Sequence, residues 1–282
     1  MAFVFVIAIF LSAALLFAVQ PMVGRLVLPA MGGSPAVWNT VMVFFQLALL
    51  AGYSIAYLIA KLKRNRNQVL AHAFIVALAL LLLPIGVAAR QLSESQSPAL
   101  ALFARLMLDL GPIALALATM SPILQHWYAA MNLPRREDPY FLYAASNAGS
   151  LIGLLGYPLF IEPSLGLAQQ RTLWSIGFGV LALTILIVWI GVARAPRAVP
   201  IATERANATQ HTGSPIPWIV LALVPSSLLL GVTQHITTDI AAVPLLWVIP
   251  LALYLITFIV AFAASTARLL RVLTRLVPVL AV

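Results

Sequence analysis

Apolar residues occupy this chain in eight long blocks with short polar breaks between them. Each block runs about 18–26 residues without strict apolar–polar alternation, which suits membrane-crossing helices of about 20 residues and not barrel strands of about 10. Prolines, glycines and charged clusters place the expected spans near 2–20, 36–60, 69–89, 100–125, 140–161, 172–193, 216–233 and 241–264. The pattern predicts an all-α, polytopic transmembrane helical bundle of about eight spans. The longest polar stretch, ARAPRAVPIATERANATQHTGSPIP (193–217), is rich in proline and small polar residues and reads as a flexible linker. Residues 1–193 are then a six-span membrane bundle, 194–215 a cytoplasmic linker, and 216–282 two further spans with a basic C-terminal segment. The apolar run Leu276–Val282 reads either as a surface tail or as the start of a truncated ninth span.

Composition agrees with that pattern: 63% of the residues are hydrophobic and 8% charged. So little charge cannot clothe a water-soluble surface of this size. In hydrocarbon the backbone must satisfy its own hydrogen bonds, which leaves helices once the barrel is set aside. A net charge of +9 and a pI near 10.7 raise the question of nucleic acid. The basic residues, however, lie in short connections between spans, where they act as a topology signal. Lys61, Lys63, Arg64 and Arg66, then Arg135 and Arg136, then Arg194, Arg197 and Arg205, then Arg268, Arg271 and Arg275 all fall on one side. That side is expected to be the cytoplasm, with both termini there and no nucleic-acid partner. The absence of cysteine excludes disulfides, thiolate catalysis and cysteine-ligated metal. The first block lacks a basic leader and reads as a retained helix.

A polar group inside a span needs a partner or a role. Ala145, Gly149 and Gly153 recur every four residues on span five, with Ser146 and Ser150 alongside. Such a small-residue face lets a second helix approach closely, and Asn147 beside it is expected to bond across the seam. Arg105 and Asp109 share a face of span four and can neutralise one another; alternatively Asp109 is released to meet a cation. His235 and Asp239 show the same spacing, which fits proton coupling or, more simply, a helix cap. Gln20, Arg25, Asn39, Glu162, His235 and Asp239 all fall near the outer side, where they line either a vestibule or an ordinary interface. His72 and His126 read as inner interface residues. Trp38, Trp127, Trp174, Trp218 and Trp247 near span ends suggest an aromatic belt. Pro225-Ser-Ser227 marks span seven as a candidate interrupted helix. No metal-ligand constellation is present.

Three segments, LLFAVQPMVGRLVLPAMGGSPAVWNT (15–40), SNAGSLIGLLGYPLFIEPSLGLAQQ (146–170) and TTDIAAVPLLWVIPLALYLITF (237–258), occur in an order and spacing that resemble the membrane portion of the bacterial fused transporter/spermidine-synthase-like family. The resemblance implies a multi-pass protein of the bacterial inner membrane. It also implies that longer relatives carry a cytoplasmic aminopropyltransferase-like domain, for which these residues hold no counterpart. No catalytic residue and no cofactor is therefore expected here, and the chain is not expected to be an enzyme. The expected function is that of a transporter-like membrane domain handling a small cationic solute such as a polyamine, with Asp109, Glu162, Asp239, His235, Gln20 and Asn39 as candidate solute-binding residues. The alternative is a non-catalytic membrane anchor or scaffold for a cytoplasmic spermidine-synthase-like enzyme. Membrane lipid is the expected partner in either case.

Overall fold

A computed structural model describes residues 1–31, 35–86, 97–135, 139, 141–195, 216–236 and 248–262. Among the described residues there is no strand, and the elements are helices throughout. They are α1 (Ala2–Met31), α2 (Pro35–Ala60), α3 (Asn65–Leu81), α4 (Pro98–Ala130), α5 (Phe141–Gly156), α6 (Leu167–Arg194), α7 (Ile216–His235) and α8 (Val248–Phe262). Helix α5 runs on through a π-helical turn, Tyr157–Ile161, and a last helical turn, Glu162–Ser164. The chain divides into two compact units, Met1–Ala198 and Val199–Val282. In the second unit α7 touches α8. Asp239, Trp247, most of the linker and the basic C-terminal segment lie outside the described residues.

Five helical stretches are long and apolar enough to cross a membrane: Ala2–Val27, Val37–Ala60, Pro98–Ala130, Phe141–Ser164 and Leu167–Arg194. Their outward faces are apolar as well, through residues such as Leu50, Tyr57, Leu108, Phe160, Leu183 and Ile187. That surface is compatible with an integral membrane protein. Helix α3 has 17 residues, about 26 Å at 1.5 Å per residue, and falls short of a bilayer core of about 30 Å.

Several boundaries differ from the sequence expectation. Residues 22–31, expected as an outer connection, are helical, and α1 passes straight through Pro21. A single proline removes one hydrogen bond, whereas ending the helix would strand several backbone groups in apolar surroundings. The stretch 162–170 is likewise mostly helical, with α6 starting at Leu167 behind an extended Gly166 whose N–H donates to Gln169 Oε1 at 3.0 Å. Helix α3 stops at Leu81, well short of residue 89, because Pro84 lacks a donor and biases its predecessor away from helix. Span seven is not interrupted: α7 is continuous through Pro225, and Ser226 Oγ donates to Ala222 O at 2.8 Å.

Within the first unit the most extensive contacts join α2 to α4 and α1 to α5. Both seams are built on missing side chains. A Cβ placed on Gly149 would run into the carbonyl oxygen of Phe10, and one on Gly153 into that of Ala14. The two helices therefore meet backbone to backbone in four-residue register. A Cβ on Gly52 would collide with the Ala118 methyl and sit 3.2 Å from its Cα. Around these seams Phe5, Ile9, Phe44, Leu106, Tyr128 and Phe178 form a continuous buried core.

Candidate functional site

The polar side chains of the first unit gather at its two ends. One end carries Arg25 near the close of α1 and Glu162 at the close of α5, joined at 3.0 Å with both side chains partly exposed. The hydroxyl of Tyr157, the first residue of the π-helical turn, lies near this pair. That hydroxyl donates to Gln170 Oε1 at 2.9 Å, and Gln170 Nε2 donates to Leu165 O at 2.8 Å. The Arg25–Glu162 pair and the Tyr157–Gln170 bond thus tie α1, the end of α5 and the start of α6 together. Pro158 gives the local cause of the wider turn, since it cannot supply the regular i→i−4 donor at this point. Beside this node Arg171 donates from Nε to Ile85 O, and the Ile85 N–H donates to Ser175 Oγ at 3.3 Å. Side chains of α6 therefore take up backbone groups that the end of α3 leaves free.

In the first half of α4 Arg105 Nε meets Asp109 Oδ2 at 2.6 Å, one turn apart, with both side chains partly buried. Asp109 and Glu162 are the carboxylates among the described residues, and each is paired with an arginine. A buried carboxylate left alone carries a heavy desolvation cost, so a guanidinium beside it is the simplest local remedy.

The other end is organised by the first turns of α3. Gln68 is buried and saturated: Nε2 donates to Ala60 O (3.2 Å) and Leu62 O (2.9 Å), while Oε1 accepts from Trp127 Nε1 (2.8 Å). Asn65 Nδ2 donates to Val192 O at 3.3 Å. His72 is fully buried, accepts from Trp189 Nε1 through Nδ1 at 3.0 Å, and packs edge-on against both Trp127 and Trp189. Because Nδ1 accepts, the proton of the neutral ring sits on Nε2, which has no hydrogen-bond partner. A ring nitrogen that carries its proton is not poised as a metal ligand. No group of three metal-binding side chains occurs among the described residues.

The described candidate residues lie on different helices. Glu162 belongs to the Arg25 node, Asp109 to the α4 pair, Gln20 is half-buried on α1, Asn39 is exposed at the start of α2, and His235 lies in the second unit, in the last turn of α7. Asp239 lies outside the described residues. Gly149 and Gly153 face α1, with Ala145 half-buried one turn earlier. Asn147 does not bond across that seam; its Nδ2 donates to Tyr143 O of its own helix at 2.8 Å. Trp127 and Trp174 are not belt residues either. Both are buried, and Trp174 Nε1 donates to Leu15 O at 3.0 Å. His72 is an interior residue and not an interface one, whereas His126 is exposed. Sequence reasoning passed over Tyr157, Gln68 and Gln170; the two glutamines fall just outside the expected spans 69–89 and 172–193, where a polar residue draws no notice. No family model, curated protein or solved structure matches the chain.

Proposed function

We propose that this chain is a multi-pass integral protein of the bacterial cytoplasmic membrane that serves as a membrane scaffold or anchor for a cytoplasmic, spermidine-synthase-like enzyme. The observation that carries the choice of role is the pairing of Asp109 with Arg105 and of Glu162 with Arg25. A path for a cationic solute needs a carboxylate whose charge is available. Here each described carboxylate meets an arginine, so these ionisable groups are explained as parts of the packing. The sorting of basic residues supports the orientation. Gln68 links the ends of α2, α3 and α4, and Asn65 links α3 to the end of α6. Lys61, Lys63, Arg64, Arg66, Arg135 and Arg194 therefore share one end of the first unit, while Arg25 and Arg171 share the other. The richer end is then the cytoplasmic one, and the eight spans read from the sequence would put both termini on that side.

A second reading keeps the transporter-like role for a small cation such as a polyamine. It is favoured by the partial exposure of the Arg25–Glu162 pair, 39% and 28%, beside a π-helical turn. Such turns recur at functional sites. Spermidine binding to the purified protein separates the two. The scaffold reading expects no binding at millimolar spermidine. Binding that is lost in Glu162→Gln, with the fold intact, overturns it in favour of the second. Reporter fusions test the orientation: Asn65 and Asn132 should require a cytoplasmic reporter and Leu165 an exported one, and an inverted result defeats it.

A further inference from the structure

We propose that the basic end of the first unit is a binding surface for the phosphate headgroups of anionic phospholipids in the cytoplasmic leaflet; this rests on the membrane reading above. Lys61, Lys63, Arg64 and Arg66 fall within six residues spanning the α2–α3 connection and the first turn of α3, and all four are exposed. Arg194, also exposed, closes α6 two residues beyond the carbonyl that Asn65 holds. Cations from two elements thus stand at one edge. Their backbone is fixed. Gln68 pins the carbonyls of Ala60 and Leu62, and is itself pinned by Trp127. A loop held this way presents its charges without first losing conformational freedom, which favours binding.

The flanks of this loop point to a lipid and not to a free phosphate. Tyr57 and Leu58 on α2 and Leu70 on α3 are large and exposed next to it, with exposed Tyr53 and Phe74 one turn further along. Lys61 Nζ lies 4.2 Å from the centre of the Tyr57 ring, so the aromatic already orients a cation at the boundary between the charged and apolar surfaces. A headgroup phosphate at the cations and acyl chains along α2 and α3 would satisfy both surfaces at once. Juxtamembrane basic clusters are drawn to anionic lipid by the same electrostatics. The uncapped first turn of α3 adds its partial positive charge to the same place.

The test uses the full chain purified in a neutral detergent, after a carbonate wash of membranes has shown that it stays inserted. Thermal unfolding is followed with added phosphatidylglycerol, phosphatidylcholine or glycerol phosphate. Phosphatidylglycerol should raise the midpoint by a few degrees, as expected for a ligand that binds only the folded state. The other two should leave it unchanged. The triple variant Lys63→Gln/Arg64→Gln/Arg66→Gln alters exposed side chains, so it should melt like wild type without lipid and lose most of the shift. Native mass spectrometry should show the same variant retaining less phosphatidylglycerol. An equal shift and equal retention in the variant, or an equal effect of phosphatidylcholine, would overturn the proposal. Release by carbonate would instead defeat the membrane reading beneath it.

Discussion

Replacing Gly149 by alanine adds one methyl group at the tightest point between α1 and α5. The new Cβ would collide with the Phe10 carbonyl oxygen and stand 3.1 Å from the Phe10 Cα. A comfortable carbon–oxygen contact is about 3.3–3.6 Å, so the helices must part by about 1 Å. The obstacle is helix backbone, which cannot swing aside as a flexible side chain would. A gap of that size forfeits about a quarter to a half of the dispersion well of each atom pair along the seam. The loss should fall in the upper part of the roughly 1–3 kcal/mol seen for overpacking. Gly153→Ala meets Ala14 in the same register, with its Cβ 3.0 Å from the Ala14 Cα. Once the helices have parted for one methyl the second fits more easily, so the double variant should cost less than the sum. Gly156→Ala and Gly179→Ala are the controls, since an added Cβ there meets nothing within 4 Å. In those helices alanine should be neutral or stabilising by about 0.5–1 kcal/mol. Thermal melting in detergent reads all five variants. If Gly149→Ala melts with wild type, or the controls lose as much as it does, the backbone seam is not what holds α1 to α5.

Two further substitutions probe the ends of the unit. Trp127→Phe keeps most of the buried ring but leaves Gln68 Oε1 without its donor; stability in detergent should fall by about 1–3 kcal/mol, and a fall much smaller than that would show the bond to be dispensable. For Arg25 and Glu162, a double-mutant cycle with alanine should give a coupling of about 0.2–1 kcal/mol, because both side chains are partly exposed; a much larger coupling would mean that the node is shielded from its surroundings.

The sequence by itself determined the class of structure. With 63% hydrophobic residues and no strict alternation, long apolar helices are the one arrangement that satisfies the backbone. It also marked Gly149 and Gly153 as one small-residue face and set Asp109 within reach of Arg105, because both are matters of helical period along a single element. Partners across elements were a different matter. Nothing local says that Glu162 meets Arg25, 137 positions away, that Gly149 rests on Phe10, or that Trp127 turns inward to Gln68 and not outward to a surface. A tryptophan near a helix end reads alike in either place, and only the packing of α3 against α4 decides it. Prolines divided in the same way. Pro84 coincides with the end of α3, whereas α1 and α7 run through Pro21 and Pro225, since one missing donor costs less than ending the helix and stranding several backbone groups. Local chemistry set which segments are helical; tertiary packing chose which of their polar atoms are used up on one another.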